Sequence, residues 1–413
     1  MKNKRPSLMF SSWLILSVGG VVLFLIGLSS FLYKFLIDLD TSVKIILTTA
    51  GIILTILSIR RYLIQLSSMA STNRLSGNTV LRDKILSKGP KVVVIGGGTG
   101  LSVLLRGLKE YTSNITAIVT VADDGGGSGI LREDLGMLPP GDIRSCILAL
   151  ANTEPIMEKL LQYRFNDGML KGQSFGNLFI AAMNEICGSF EEAIKETSNV
   201  LAVTGKVLPM TLEDVTLYAV LENGHTVKGE SAIPLKNKEL DSRIKQVYME
   251  PRISYPLVEA VEAIQDADLI VLGPGSLYTS VIPNLLVNGM VKTIYHAEAP
   301  KVYIANIMTQ PGETDGYTVL DHVDGILTHS RDDLLDYVIV NTEKIPRGIL
   351  ERYTLDGSEP VILKEGEEDI LKSKGIQVIK ENLVDIKKDY IRHDALKLSR
   401  ILVEIGKKKI QGC

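Results

Sequence analysis

The chain opens on two apolar runs. Ser7 to Tyr33 is 27 residues without a charge, rich in Leu, Ile, Val and Phe. About 20 such residues cross a bilayer as a helix. A second run, Ile45 to Ile59, is 15 residues long, and it reaches 19 if it starts at Thr41 with Lys44 snorkelling to the interface. Lys34 to Asp40 makes the turn between them. The pattern predicts a two-helix transmembrane hairpin over residues 1–60, followed by a polar linker over 61–90.

At Lys91 the pattern changes. Lys91 to Ile95 is a short β-branched run, which reads as a buried parallel strand. Glycines follow, and Leu101 to Glu110 then has apolar residues at helical spacing. Ile115–Val121, Asp268–Leu272, Lys301–Asn306, Asp336–Asn341, Pro360–Lys364 and Gly375–Lys380 are further predicted strands, with helices over Pro256–Ala267 and from about His393 to Ile405. This alternation predicts an α/β fold, a Rossmann-like parallel sheet over residues 91–413. Val215–Glu222 and His225–Ile233, joined by Asn223-Gly224, read as a β-hairpin. A small antiparallel β insertion is therefore expected near residues 206–250.

Charge adds an orientation. Lys2, Lys4 and Arg5 precede the first apolar run, Arg60 and Arg61 follow the second, and Asp38 and Asp40 lie between. The positive-inside rule puts both termini and the α/β domain in the cytoplasm, at the cytoplasmic membrane. Residues 1–91 carry 12 Lys/Arg against 3 Asp/Glu, which leaves a balance of −12 for the rest of the chain. An acidic domain of this kind is not expected to bind nucleic acid. The basic linker either lies on anionic headgroups or is a solvated tether; the sequence leaves both open. Cys146, Cys187 and Cys413 are too few and too scattered for a disulfide framework or a structural zinc site.

The candidate chemistry sits in the loops that end strands. Gly96, Gly97, Gly98, Thr99 and Gly100 place a glycine loop before a helix, where free N–H groups and the positive dipole end hold phosphate. Leu101 stands where a dinucleotide fingerprint needs its third glycine, so NAD is not expected, and no Walker lysine follows. Asp123, Asp124, Gly125 and Gly126 end the next strand, and carboxylates there hold a ribose hydroxyl or a phosphate-bridging metal. Asp142 and Arg144 open a helix after Pro139-Pro140-Gly141, as a cap with an ion pair or as ligand contacts in one crevice. Asn177 in Ser174-Phe-Gly-Asn177 reads from spacing as a helix cap. Gly273, Gly275, Ser276 and Tyr278 repeat the strand–glycine loop layout, and Glu313 and Asp315 follow the next strand. His225, His322, His329 and His393 read as surface or core histidines, and His296 cannot be ranked. No nucleophile–His–acid set emerges.

Gly96–Gly100, Ala122–Gly129, Pro139–Arg144, Ser174–Asn177, Gly273–Ser280 and Asn306–Tyr317, in this order, resemble the 2-phospho-L-lactate transferase (CofD-like) superfamily. Within it, the chain is similar to the gluconeogenesis-factor (YvcK-like) branch over about residues 91–406. The resemblance implies a nucleotide held by the glycine loops. In the transferase branch a phospholactyl group passes from a guanosine diphosphate carrier to a deazaflavin. The gluconeogenesis-factor branch is associated with UDP-sugars such as UDP-N-acetylglucosamine, cell-wall precursor supply, cell shape and gluconeogenic growth. Catalysis by that branch stays open, and the alternative is a nucleotidyl- or phospholactyl-transferase using the same crevice. The expected site is Gly96–Gly100 on phosphates and Asp123 and Asp124 on ribose or Mg²⁺. Asp142, Arg144, Asn177 and Gly273–Tyr278 complete it. Cell-wall synthesis proteins are expected partners, and a homo-oligomer is expected. The chain departs from the pattern at Gly127, where a serine is expected, at Ser145, where Asn is usual, and in its N-terminal hairpin.

Overall fold

The structure, a computed structural model, describes residues 84–387 and 390–412, together with Leu25 and residues 49–57. The chain divides into two compact units, Met1–Arg82 and Asp83–Cys413. In the first, residues 49–57 are helical and expose Ile52, Ile53, Leu54, Ile56 and Leu57. The rest of the predicted hairpin and most of the linker lie outside the described residues. Among the described residues no helix is long and apolar enough to cross a membrane.

The second unit is built on a seven-stranded sheet: β1 (Val92–Gly96), β2 (Ile115–Val119), β3 (Lys206–Pro209), β7 (Leu269–Leu272), β8 (Lys301–Ile304), β9 (Tyr337–Asn341) and β10 (Gln377–Glu381). Their order is β10-β9-β8-β7-β1-β2-β3, and every pairing is parallel. Every residue of β1 and β7 is buried, as strands covered on both faces by helices must be. The chain runs outward from β1 to β3, returns beside β1 as β7, and runs outward the other way. The ends of β1 and β7 are therefore the topological switch point, where open sheets leave a crevice.

A second sheet has the order β5-β4-β6, from β4 (Thr216–Leu221), β5 (Thr226–Lys228) and β6 (Ile244–Glu250), all antiparallel. This is the expected insertion, but its boundaries differ. β3 belongs to the main sheet. The second hairpin strand stops at Lys228 instead of Ile233, because Gly229 turns the chain at φ +97° and a helix takes over at Ala232. Pro360–Lys364 is not a strand: Pro360 makes only an isolated bridge with Met308, and Val361 N donates to Ile307 O at 2.9 Å. A hairpin of β11 (Val384–Lys387) and β12 (Tyr390–His393) closes the domain before its last helix.

The helices that matter below are α1 (Gly98–Leu108), α2 (Gly126–Leu135), α3 (Gly141–Leu150), α4 (Pro155–Gln162), α5 (Phe175–Cys187), α6 (Ala232–Leu240), α7 (Val319–Thr328), α8 (Arg347–Leu355) and α9 (Ala395–Gly412). α9 packs so closely on α1 that a Cβ on Gly107 would lie 2.2 Å from Ala395 O.

Candidate functional site

The two glycine loops meet at the switch point. β1 ends at Gly96, Gly98 takes φ +68°, and α1 starts with no side-chain cap. The first N–H groups of a helix are donors of the kind that bind anions; here the very first, Gly98 N, is taken by Asp142, and Thr99 N and Gly100 N come next. Gly97 and Gly100 have no space for a side chain. A Cβ on Gly97 would sit 2.5 Å from Asp142 Oδ2, and one on Gly100 would sit 2.8 Å from Pro274 O in the second loop. Asp142 is not a cap: Gly98 N donates to its Oδ2 at 2.7 Å, tying the start of α3 to the start of α1.

In front of the loops lies a cleft of about 460 Å³. Gly97 to Gly100 form one wall, and Gly275, Ser276 and Ser280 another. Asn306 and Gln310 reach in from beyond β8; Tyr353 of α8 and Tyr390, Arg392 and His393 of β12 form the far side. Gln310 Nε2 donates to Ser276 Oγ at 2.6 Å, while Gln310 Oε1 and Asn306 Oδ1 are buried without a partner. Buried polar atoms are rarely left so, and these point to a ligand that supplies donors. His393 is a core histidine, as expected. It is buried, its Nε2 lies 3.2 Å from Ala305 O, and burial pushes its pKa down to about 4.

A second, polar cluster surrounds Arg144. Arg144 Nη1 donates to Ser174 Oγ, Nη2 to Ser145 Oγ at 3.4 Å, and Nε has no partner. Asp142 and Arg144 thus hydrogen-bond to different neighbours, though each feels the other's charge. Ser174, not Asn177, caps α5, accepting from Asn177 N at 3.1 Å. Asn177 Nδ2 donates to Ser128 Oγ at 3.4 Å, and Asn177 Oδ1 and Gln173 Oε1 stay unpartnered.

Carboxyl groups crowd around Asp142. Burial, and then Asp123, raise the Asp142 pKa to about 6. Burial raises Asp123 as well. Glu230, which the sequence reading missed, is raised to about 8 by burial and then by Asp123, Glu313 and Asp142. Asp123 Oδ1 accepts from Gly125 N at 2.9 Å, whereas Asp124 Oδ1 accepts from Ser231 N at 2.9 Å. The two aspartates therefore diverge and do not fit the expected pair of Mg²⁺ ligands. Among the described residues no group of three or more His, Cys, Asp and Glu is placed to hold a metal ion.

Other expected residues also land elsewhere. Gly125 is the N-cap of α2 and Gly126 its first residue, beside Ser231. Tyr278 turns into the core, where its hydroxyl lies 2.9 Å from Tyr317 OH and its ring meets His329 edge-on. Glu313 is buried against Thr279 Oγ1 at 3.3 Å, and Asp315 accepts from Gly312 N at 2.6 Å. The acidic first turn of α7 is Asp321, in a capping box with Thr318. The far wall of the cleft, Tyr353, Tyr390 and Arg392, had no signal in spacing, since it comes from short elements remote in sequence.

The sequence model of the family described as 2-phospho-L-lactate transferase CofD matches residues 92–384. The gluconeogenesis factor of Bacillus subtilis is 50% identical over 319 residues, 77% of this chain and 98% of its own. A relative from Clostridium acetobutylicum is 47% identical over 413 residues, 97% of this chain and 90% of its own, so its match extends into the N-terminal region. The crystal structure of a UPF0052-family protein from Bacillus halodurans superposes with a TM-score of 0.72 at 47% identity, over 76% of this chain and 99% of that one. The chain therefore belongs to the CofD family, among the relatives named gluconeogenesis factors.

Proposed function

We propose that the glycine-loop cleft binds a UDP-sugar, UDP-N-acetylglucosamine. In this reading the chain, held at the cytoplasmic membrane by residues 7–59, supports cell-wall precursor synthesis, cell shape and gluconeogenic growth. The supporting observation is the meeting of two glycine-rich loops, Gly97–Gly100 and Gly273–Ser276, at the start of α1. That arrangement suits a diphosphate. Asn306 and Gln310 offer acceptors to sugar hydroxyls, and Tyr353 and Tyr390 offer ring faces to a base. The test is calorimetric titration of residues 84–413 with UDP-N-acetylglucosamine, GDP and NAD, with and without Mg²⁺. Selective binding of the uridine nucleotide is expected; selective GDP binding, or none, overturns the assignment.

A transferase is the second reading. The polar cluster around Arg144 and Asn177 favours it, since Arg144 Nε, Asn177 Oδ1 and Gln173 Oε1 are buried there without hydrogen-bond partners. Release of UDP or another nucleotide from a bound donor, followed by ³¹P NMR over a panel of acceptors, decides it. Binding without turnover leaves the binding protein.

A further inference from the structure

Asn284 stands in a short apolar helix, Ile282–Leu286, that follows a π-helical turn over Leu277–Val281. Ile282, Pro283 and Leu285 around it are buried, and Asn284 itself is 0% exposed. Its Nδ2 donates to Ser280 O at 2.8 Å and to Gly96 O at 3.3 Å, while its Oδ1 is buried without a partner. An unpaired buried acceptor costs free energy, and a leucine of similar size would avoid that cost. What the amide adds is its donors, and one of them reaches the end of β1, 188 residues back in the chain. The π turn leads there. Val281 N reaches back five residues to Ser276 O at 2.9 Å. Ser280 and Asn284, four apart and so on one face, then meet the first glycine loop. The Ser280 Cβ lies 3.5 Å from where a Gly97 Cβ would be. Turns of this kind are frequent at functional sites.

We propose that Asn284 is a positioning residue that aims the first glycine loop at a nucleotide phosphate, on the reading of the cleft given above. Gly96, Gly97 and Gly98 are three glycines in a row, and the peptide planes between glycines rotate most freely. Gly96 O accepts from Thr120 N, just past β2, at 3.0 Å. Asn284 Nδ2 engages the same oxygen, so two donors hold this carbonyl. A trans peptide is planar, and its N–H points opposite to its C=O. Pinning Gly96 O toward β2 therefore aims Gly97 N–H the other way, toward β7 and the second loop. Gly98 N is spent on Asp142, whereas among the described residues Gly97 N donates to no acceptor of the chain. Gly97 lines the cleft, and its carbonyl lies 3.1 Å from where a Gly275 Cβ would be. The second loop thus orders the first through one side chain: Gly273–Ser276 leads into the π turn, and the helix after it returns a donor to β1.

The test compares residues 84–413 with the variant Asn284→Leu, which keeps the volume and removes both amide donors. A relative matched over 98% of its length by 77% of this chain shows that a domain of this extent stands by itself. Asn284→Ala is the second variant should leucine not fit, and far-UV circular dichroism checks both folds. Amide exchange is followed by NMR at Gly98 and Thr120, whose N–H groups are bonded to Asp142 and to Gly96 O, and at Val94 and Ala117 within the strands. Exchange about tenfold or more faster at Gly98 and Thr120, with Val94 and Ala117 unchanged, is the expected result. Titrations with uridine, UMP and UDP should then show affinity lower by about tenfold for UDP, by less for UMP and not at all for uridine, a gradation that a merely structural role does not produce. Unchanged exchange at Gly98 and Thr120, or an equal loss for all three ligands, overturns the proposal. A wild type that binds none of the three overturns the UDP-sugar reading instead, and the exchange measurement, which needs no ligand, then decides on Asn284.

Discussion

Replacing Asp142 by Asn isolates the electrostatic cost of the site. Asp142 accepts from Gly98 N at 2.7 Å, and an Asn oxygen can keep that bond. The charge is what disappears. The Asp142 pKa stands at about 6 instead of 3.8, chiefly from burial and then from Asp123. A raised carboxyl pKa means that the folded state holds the proton more tightly than the unfolded chain does. Stability tied to this group is therefore full below about pH 4 and is lost as pH rises to about 6, after which it is level. At about 1.36 kcal/mol per pH unit the ceiling is about 3 kcal/mol. Glu230 adds to the loss up to about pH 8, and part of its own rise comes from Asp142. Relative to the wild type, Asp142→Asn should gain about 2–3 kcal/mol between pH 4.5 and 7.5. The assay is urea unfolding of residues 84–413 followed by far-UV circular dichroism, because the only tryptophan is Trp13. A gap between variant and wild type that stays flat over this range would refute the reasoning, as would a variant that loses ground as pH rises.

Three further outcomes follow from the same geometry. Gly100→Ala drives a methyl group to 2.8 Å from Pro274 O, so the loops must part; a cost of about 1–3 kcal/mol in unfolding and loss of calorimetric UDP-sugar binding are expected. Arg392→Ala opens the far wall of the cleft and should weaken nucleotide binding about tenfold or more without moving the melting temperature appreciably. Asp124→Ala removes the acceptor of Ser231 N, so it should cost about 1–2 kcal/mol in thermal unfolding while leaving any Mg²⁺ dependence of binding unchanged. A lost Mg²⁺ response would return Asp124 to the role of metal ligand.

The central parallel strands were legible because burial on both faces leaves an unbroken apolar run. Val92–Gly96 and Leu269–Leu272 have no solvent side to carry polar residues. β11 and β12 were not legible, since each is four residues long and largely half-exposed or exposed. Yet β12 brings Tyr390 and Arg392 to the cleft. Local capping chemistry was ambiguous for a different reason. Ser174 and Asn177 are both cap formers, and only the backbone shows that Ser174 takes the N–H of Asn177. Asp142 looks like a cap in its own segment, but its partner, Gly98, lies 44 residues away. Tyr278 belongs to a glycine loop in sequence, but a π-helical turn over Leu277–Val281 carries it into the core.

The antiparallel insertion gives the clearest case of sequence position misreporting role. Asp123 and Asp124 are neighbours, and adjacency alone makes them a ligand pair. Their side chains nevertheless take different hydrogen-bond partners. Asp123 stays with Ser128 and Gly125 at the edge of the site. Asp124 reaches Ser231, and Asn237 Nδ2 of α6 donates to Gly312 O at 2.6 Å. These two bonds tie the β5–α6 segment to the loops after β2 and β8, and Glu230 in it lies near Asp123, Asp142 and Glu313. A carboxyl group forced into that company is protonated at neutral pH and costs stability when it ionises. The fold thus holds Glu230 in a cluster of carboxyl groups, an electrostatic strain that its titration at about pH 8 reports.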